Sequence, residues 1–395
     1  MRLNKYFGPS TLVTAAFIGP GTIMTCSMAG IETGYSLIWA LIFSIFATII
    51  LQEMAARLGF ITQSGLGEAL NKSLIKPVSR IIAFMIVIGA ILIGNAAYEA
   101  GNIAGSVLGA ELIFGASNWH PWIIGGLAFV LLLYGKYKWV ERTLIALVLF
   151  MSLCFLITCI IVKPDLAAII EGFIPSLSDG NILLVMALIG TTVVPYNLFL
   201  HASAISKKYK TGASLTDIRI ENFVSILLGG LISICIVIVA ASAQSGIGSI
   251  ESGKDLAMQL EPLAGKTASY LMGLGLWSAG LSSALTAPLA AAYAAKGIFD
   301  FEKGDGSIYF KLTWLVVLLS GLIVISQGYQ PTLVIKFAQI MNAVLLPFIS
   351  FFLIYACNQP SIMRKEVNSL RQNILSGLVI IITLLISIKS LWLLF

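Results

Sequence analysis

The sequence predicts an all-α integral membrane protein with about eleven transmembrane helices. Of its 395 residues, 58% are hydrophobic and only 11% are charged, whereas a soluble domain carries about 25% charged residues. The mean hydropathy is +0.97. Apolar runs long enough to cross about 30 Å of hydrocarbon as a helix recur along the whole chain. The expected solvent is therefore the lipid bilayer, and no soluble domain fits between the runs.

The apolar runs form a single transmembrane domain of eleven predicted spans. We expect two sets of five spans, at about 10–163 and 181–356, followed by an extra helix at about 372–394. The spans are 10–30, 35–58, 79–108, 121–137, 141–163, 181–205, 219–243, 267–298, 309–327, 331–356 and 372–394.

The basic residues are distributed unequally between the two sides of this predicted bundle. With the N-terminus inside, 19 of the 24 Lys and Arg residues fall on the inner side, four fall on the opposite side, and Lys336 falls within span ten. An excess of Lys and Arg marks cytoplasmic loops. The sequence thus predicts a cytoplasmic N-terminus and an outer C-terminus, and its short termini favour a bacterial inner membrane.

Two spans contain helix-breaking residues at similar depth. Span one contains Gly19-Pro20-Gly21, and span six contains Val194-Pro195. Proline removes a backbone donor and clashes with the preceding turn, and glycine tolerates unwound geometry. Interruptions in corresponding spans of two halves point to a transporter's binding site. The alternative is a pair of structural proline kinks.

Several short motifs occur in a fixed order over essentially the whole chain. They are Gly8-Pro9, Gly19-Pro20-Gly21-Thr22, Gly34-Tyr35, Leu51-Gln52, Ala55-Ala56-Arg57-Leu58-Gly59, Asn197-Leu198-Phe199-Leu200-His201-Ala202, Ser282-Ser283 and Leu346-Pro347-Phe348. In these motifs and their order the sequence resembles the NRAMP family of metal-ion transporters. This resemblance implies an inverted-repeat fold of the leucine-transporter type, with broken helices one and six and an extra helix eleven.

The residues that build the family's metal site are replaced in this sequence. The family uses the Asp and Asn of Asp-Pro-Gly-Asn, and the Met and a backbone carbonyl of Ala-x-x-Met-Pro-His. The positions that match the Asp and Asn are Gly19 and Thr22, Val194 matches the Met, Thr191 matches the residue of the carbonyl, and Tyr196 stands in place of the His. Divalent metals need carboxylate, thioether or imidazole donors. The chain therefore resembles a branch that lacks the metal ligands, whose members resemble bicarbonate carriers.

A cavity without carboxylates that faces helix N-termini favours an anion, because free N–H groups there carry partial positive charge. We therefore expect import of a small inorganic anion, with bicarbonate preferred, by alternating access. The expected substrate-binding residues are Gly19, Pro20, Gly21, Thr22, Thr191, Thr192, Val194, Tyr196, Asn197, Lys336 and Gln339.

Lys336 is the one basic residue predicted within the membrane. It lies three residues before Gln339 and so on the same helix face, and Gln339 matches a family glutamine that faces the substrate cavity. Ionisable residues inside a membrane are functional candidates. Alternatively, the Lys336 side chain extends to the outer interface.

An anion that enters a negative cell interior needs a coupling cation, either sodium or a proton. For sodium, the hydroxyls of span eight are candidates, although they can also bond their own helix backbone. For a proton, the family's Asp-x-x-Glu motif is present only as its Glu. The coupling candidates are Ser282, Ser283 and Thr286 for sodium, and Glu99 and His201 for a proton. Glu53, one turn before Arg57, is expected to form a salt bridge with it.

Two other functions stay open. One is a divalent-metal transporter of the NRAMP type, for manganese or a hydrated magnesium ion that needs few direct protein ligands. The other is a receptor or scaffold that kept the fold. An enzyme is not expected, because the sequence lacks a paired acid–base constellation. We expect a monomer with no bound cofactor, no resident metal and no nucleic-acid partner.

Overall fold

The computed structural model describes residues 18–73, 77–135, 138–178, 180–209, 214–243, 248–301 and 304–394. All regular secondary structure in these ranges is helical, and no strand occurs in them. The all-α class is therefore confirmed. The start of predicted span one, together with Gly8-Pro9, lies outside the described residues.

Every predicted span corresponds to a helix. These helices are α1 (Pro20–Thr33), α2 (Ile38–Thr62), α4 (Pro77–Phe114), α5 (His120–Tyr134), α6 (Lys138–Ile161), α8 (Ile182–Thr192) with α9 (Pro195–Lys208), α10 (Leu215–Ser242), α13 (Ala268–Phe299), α14 (Ile308–Ser326), α15 (Pro331–Cys357) and α17 (Leu370–Leu394). Short helices connect them, namely α3 (Leu66–Ser73), α7 (Leu166–Glu171), α11 (Gly253–Met258), α12 (Glu261–Ala264) and α16 (Pro360–Met363).

The described helices give the chain its integral membrane character. Eight stretches of the described residues are long and apolar enough to cross a bilayer. Helix α5 is apolar but has 15 residues, and α1 has 14 and continues a predicted span that begins outside the described part. Helix α4 has 38 residues and ends at Phe114, six residues beyond the predicted end at position 108. The helix therefore continues past the apolar run and includes the charged residue Glu111. The full number of eleven crossings stays a prediction.

Helix α4 lies at the centre and packs against α13, α14 and α15. Small residues allow these helices to approach closely, as is common between helices in membranes. A Cβ at Gly109 of α4 would lie 2.4 Å from the Trp277 backbone nitrogen, and one at Gly280 of α13 would lie 2.5 Å from the Asn102 carbonyl oxygen. The region around α4 is therefore tightly packed along the helix.

A partly buried ion cluster joins the helices on the side of the molecule where α2 ends and α10 begins. We name this side the basic side. Arg57 is 1% exposed, and its Nε lies 3.1 Å from Glu53 Oε1, so the expected salt bridge is confirmed. Arg219 Nε lies 2.8 Å from the same oxygen. Arg57 also donates to Asn368 Oδ1 at 2.6 Å. The cluster thus ties α2 to α10 and to the segment before α17.

Candidate substrate site at two broken helices

The first break lies at the beginning of α1. Gly19 has an extended backbone (φ −99°, ψ −176°), and Pro20 occupies the first helical position. Proline fits there because it has no N–H to leave unpaired. The amides of Thr22 and Ile23 donate to the Gly19 carbonyl at 3.1 and 3.3 Å. Helix α1 therefore begins inside predicted span one, at the expected residues.

The second break divides predicted span six. Helix α8 ends at Thr192, Val194 is extended (φ −84°, ψ 118°), and α9 begins with Pro195. The Val193 amide closes α8 by donating to the Ile189 carbonyl at 2.8 Å. The prediction that this proline splits the helix is confirmed.

The two breaks are in direct contact. Thr22 Oγ1 and Thr191 Oγ1 are 2.9 Å apart and buried, and either hydroxyl can donate. These residues are 169 positions apart in the chain. The contact joins the first turn of α1 to the last turn of α8, so the two breaks lie side by side.

Helix α15 closes the site from a third direction. A Cβ at Gly21 would lie 2.1 Å from Gln339 Nε2, and one at Gly190 would lie 1.8 Å from the Gln339 carbonyl oxygen. The two glycines therefore make room for the side chain and for the backbone of Gln339. Asn342 Nδ2 donates to the Gly190 carbonyl at 3.4 Å. Asn342 lies one turn after Gln339 on α15, so the spacing in the sequence already places it on the same face of the helix as Gln339.

The backbone at the breaks leaves both donors and acceptors without partners in the described part of the chain. Within the described residues, the amides of Gly21 and Tyr196 have no hydrogen-bond partner, whereas neighbouring first-turn amides bond the carbonyl that precedes each helix. At the end of α8, the Thr192 carbonyl accepts from Thr48 Oγ1 at 3.4 Å. The Gly190 carbonyl is likewise engaged. By contrast, the carbonyls of Thr191 and Val193 accept no hydrogen bond from the described residues, so the breaks present the partial positive charge of two helix N-termini together with two carbonyl oxygens.

Buried side chains at the site also lack partners. Both polar atoms of Asn197 and the Oε1 of Gln339 have no hydrogen bond within the described part of the chain. The Tyr196 hydroxyl lies near those of Tyr98 and Thr286, without a bond of normal geometry. A buried polar atom without a partner costs about 1–3 kcal/mol. A polar ligand or water would satisfy these atoms.

No carboxylate belongs to the helix segments that form the site. Helices α8, α9 and α15 contain no Asp or Glu, and the acid of α1, Glu32, lies near the far end of that helix. No group of three or more His, Cys, Asp or Glu side chains that could hold a metal ion occurs among the residues that the structure describes. The site is therefore neutral and rich in hydroxyl and amide groups.

Lys336 lies one turn before Gln339 on α15 and is half-buried. The helical rise places it about 4.5 Å further along the axis, away from the basic side. No carboxylate in the described ranges forms an ion pair with it. The expectation that it faces the site stays a prediction.

Glu99 occupies a separate pocket on α4. It is fully buried, its Oε2 accepts from Asn102 Nδ2 at 3.2 Å, and its Oε1 has no partner among the described residues. A Cβ at Gly321 of α14 would lie 2.7 Å from Glu99 Cγ. The adjacent Tyr98 packs edge-on against Tyr196 with ring centroids 5.2 Å apart. The pocket thus touches the site through two tyrosines.

His201 is fully buried on α9, and its Nδ1 lies 2.8 Å from Gln52 Oε1. The sequence did not indicate a role for Gln52, because its partner is 149 residues away.

The three candidate hydroxyls of span eight lie in different surroundings. Ser282 and Thr286 line a cavity, while Ser283 is buried and its carbonyl accepts from Thr286 Oγ1 at 3.2 Å. This last bond follows the alternative of hydroxyls that bond their own helix.

The chain also matches a family of known proteins. Residues 10–393 match the family described as natural resistance-associated macrophage protein-like, or Nramp. The chain belongs to the Nramp family. It is therefore a membrane transporter and not an enzyme.

Its curated relatives are distant in sequence. A Dictyostelium discoideum protein named natural resistance-associated macrophage protein 2 homolog is 25% identical over 397 residues, which cover 96% of this chain and 62% of the relative. The divalent metal cation transporter MntH of Erwinia tasmaniensis is 26% identical over 385 residues, covering 93% of this chain and 89% of the relative. The chain thus spans less than two thirds of the Dictyostelium protein and most of the bacterial one.

Solved structures share the fold. The manganese transporter of Eremococcus coleocola, solved as a point mutant, has a TM-score of 0.78 at 20% identity, and the match covers 98% of this chain and 85% of the transporter. The nucleobase-cation-symport-1 family transporter Mhp1 has a TM-score of 0.59 at 16% identity, covering 98% and 92%. The leucine-transporter-type fold is therefore confirmed. The names of the Nramp relatives refer to divalent metals and manganese, so they favour the metal alternative over bicarbonate.

Proposed function

We propose that this chain imports a small inorganic anion, with bicarbonate as the preferred substrate, bound between the two broken helices. The observation that carries the proposal is the polarity of the site. Two unpartnered amides, of Gly21 and Tyr196, and the unpartnered amide group of Asn197 lie at breaks without a carboxylate in the described part of the chain. Such a site attracts negative charge.

Bicarbonate matches the donors and acceptors available. Its planar oxygens accept hydrogen bonds, and Asn197 Nδ2 and the amides of Gly21 and Tyr196 supply donors beside the bonded hydroxyl pair of Thr22 and Thr191. Its own O–H group needs one acceptor, and Gln339 Oε1 is buried without a partner in the described part of the chain. The hydroxyl of Thr192 already bonds the Leu188 carbonyl at 3.1 Å, so it contributes mainly through its backbone.

Import needs an energy source, because each charge costs about 2.3 kcal/mol per 100 mV against an interior-negative potential. We propose coupling to a cation. Glu99, buried with one oxygen free of partners among the described residues, is the candidate proton carrier, and His201 is the second. Ser282, Ser283 and Thr286 are the candidates for sodium.

We further propose that the basic side is cytoplasmic and that the protein acts as a monomer in a bacterial inner membrane. The excess of Lys and Arg on this side supports the orientation. Lys336 would then lie on the entry side, where its ammonium attracts an anion toward Gln339.

The second candidate is a divalent-metal transporter for manganese or magnesium. The names of the bacterial relatives favour it. The residues at the site oppose it, because Gly19, Thr22 and Val194 stand where the family has Asp, Asn and Met. A hydrated ion held by hydroxyls and amides would need charge compensation that no side chain at the breaks provides.

Flux through purified protein in liposomes separates the two candidates. We expect saturable uptake of isotope-labelled bicarbonate above empty liposomes, and no saturable manganese uptake. Asn197→Asp, which keeps the shape of the side chain and adds a negative charge, should abolish bicarbonate uptake, while Asn368→Asp on the basic side serves as the control. Manganese uptake without bicarbonate uptake would overturn the anion proposal and favour the divalent-metal transporter.

A further inference from the structure

A cavity of about 190 Å³ lies between α9 and α13, on the way from the site to the basic side. Its polar lining consists of the hydroxyls of Ser203, Ser282 and Thr286 together with the side chains of Glu141, Lys207 and Tyr293. The volume exceeds what a three-oxygen anion with one or two waters occupies, since a water takes about 30 Å³ of liquid volume. The cavity can therefore hold a partly hydrated anion.

The cavity approaches the substrate site at Thr286. The Thr286 hydroxyl on its wall lies near the Tyr196 hydroxyl, and Tyr196 is in the first turn of α9 beside the second break. From there α9 continues along the wall to Lys207, near its last residue. Along this lining, Thr286 lies toward the breaks and Lys207 lies toward the basic side.

The ammonium of Lys207 contacts a carboxylate and an aromatic ring, and the carboxylate also has a second cation as a partner. Its Nζ lies 3.1 Å from Asp305 Oδ2 and 4.2 Å from the ring centroid of Tyr293. Asp305 has a second cation, since Lys296 Nζ lies 2.8 Å from its Oδ1. The Lys207 side chain is 53% exposed. Lys207 can therefore release Asp305 without leaving that carboxylate unpaired.

Among the described residues, the lining of the cavity carries one cation and one carboxylate, Lys207 on α9 and Glu141 on α6. Asp305 and Lys311 line a neighbouring cavity that shares Leu289 and Tyr293 with this one, and Lys296 pairs with Asp305. Lys207 is therefore the cation that the cavity lining offers to an anion, whereas the breaks themselves have no ionised side chain.

We propose that Lys207 forms a release-side binding site for the transported anion in this cavity, with Asp305 as its intramolecular competitor. The inference rests on the proposed import of a small anion. As the anion arrives, it takes the place of the Asp305 oxygen beside Lys207, and Lys296 retains the carboxylate. When Asp305 returns, the anion is released to the basic side.

The test measures protection of a cysteine placed in the cavity wall. Ala204→Cys lines the cavity and bears no proposed role, and the parent chain with its native cysteines gives the background labelling. Purified protein is treated with a membrane-impermeant thiol reagent in sodium bicarbonate or in sodium gluconate at equal ionic strength. We expect bicarbonate to slow the labelling of the added cysteine.

Three further variants, each made in the Ala204→Cys protein, test whether Lys207 is the residue that binds the anion. Lys207→Gln should raise the bicarbonate concentration needed for protection by about tenfold, the usual effect of losing a charge-assisted hydrogen bond. Lys208→Gln, the adjacent lysine that packs over Tyr209, should leave it unchanged. Asp305→Asn should lower it, because the competitor is gone.

Liposome flux measured in parallel separates this site from the transport proposal. Bicarbonate flux without protection, or protection that Lys207→Gln does not weaken, overturns the release-side site and leaves transport standing. Protection that depends on Lys207 in a protein without bicarbonate flux supports the site and overturns transport. The absence of both flux and protection overturns both.

Discussion

The site between the broken helices and the pocket around Glu99 are neighbours with opposite polarity. The first has no carboxylate and offers the unpartnered side chain of Asn197, whereas the second holds a fully buried carboxylate bonded to Asn102, as far as the described residues show. Tyr98 and Tyr196 separate them with ring centroids 5.2 Å apart. We infer that the group that attracts substrate and the group that carries the coupling charge are kept apart.

The difference follows from the backbone. Broken helices expose amides, so α1 and α9 supply donors without any ionised side chain. Helix α4 is continuous from Pro77 to Phe114, so its interior amides are engaged and only a side chain can supply charge. A neutral site at a break and an acid on an unbroken helix are thus two solutions to placing polarity inside a membrane.

The largest expected effect comes from a carboxylate placed in the neutral site. Thr22→Asp should reduce bicarbonate uptake by about a thousandfold, because two like charges about 4 Å apart repel by about 4 kcal/mol at an effective dielectric constant near 20. Thr22→Asn, of the same shape without the charge, should retain most uptake. Equal uptake by the two variants in liposomes would contradict a site that selects by charge.

A second prediction concerns the close packing of α15 against the break. Gly190→Ala places a Cβ 1.8 Å from the Gln339 carbonyl oxygen, so α15 must shift. Overpacking of this kind costs about 1–3 kcal/mol, and the midpoint of thermal unfolding should fall. At Gly126 of α5 a Cβ meets nothing within 4 Å, so Gly126→Ala should leave the midpoint in place. Matching midpoints for both variants would argue against this packing.

Removal of the buried acid should affect coupling and not binding. Glu99→Gln should keep downhill bicarbonate flux and lose accumulation driven by a pH gradient. One proton per cycle across a gradient of one pH unit supplies about 1.4 kcal/mol, or about tenfold accumulation, so that factor should disappear. Accumulation is measured in liposomes with an imposed pH gradient. If accumulation survives in the Glu99→Gln variant and requires sodium, the coupling site is at the hydroxyls of span eight and not at Glu99.

The smallest effect is expected at an exposed carboxylate. Burial raises the pKa of Asp305, but hydrogen bonds and charges from Lys296 and Lys207 outweigh it and hold that pKa below its usual value. The pairing therefore stabilises the fold above the ordinary pKa of Asp, about 3.9, and is lost as the pH falls toward the lowered value. Because the side chain is 44% exposed, the contribution should be within about 1 kcal/mol.

The difference in unfolding midpoint between the parent and Asp305→Asn measures this contribution. It should be constant above about pH 4 and shrink below it. A difference that grows as the pH falls would contradict the assigned sign.

Local features of this molecule could be predicted from the sequence. Pro195 marked the division between α8 and α9, and Glu53 marked its ion pair with Arg57, because both depend on residues within a few positions of each other. Contacts between distant residues could not be predicted. The Thr22–Thr191 bond joins residues 169 positions apart, and it depends on how α1 and α8 pack.

The chemistry of the site was predictable only in part. The loss of the family's carboxylate at Gly19 is visible in the sequence, and it gives the site its neutral character. The two amides without partners in the described residues depend on the backbone of Gly19 and Val194. The placement of Lys207 beside Asp305 depends on the packing of α9 against α13, and no spacing in the sequence indicates it.

The identity of the ion between the breaks tests the central claim most directly. A high-resolution structure would be determined with bicarbonate, and anomalous scattering would be recorded from crystals grown with manganese. We predict planar density whose oxygens lie about 2.7–3.1 Å from the Gly21 amide and Asn197 Nδ2, at hydrogen-bond distance, and no manganese peak. An anomalous peak between Thr22 and Thr191, with bicarbonate density absent, would contradict an anion site.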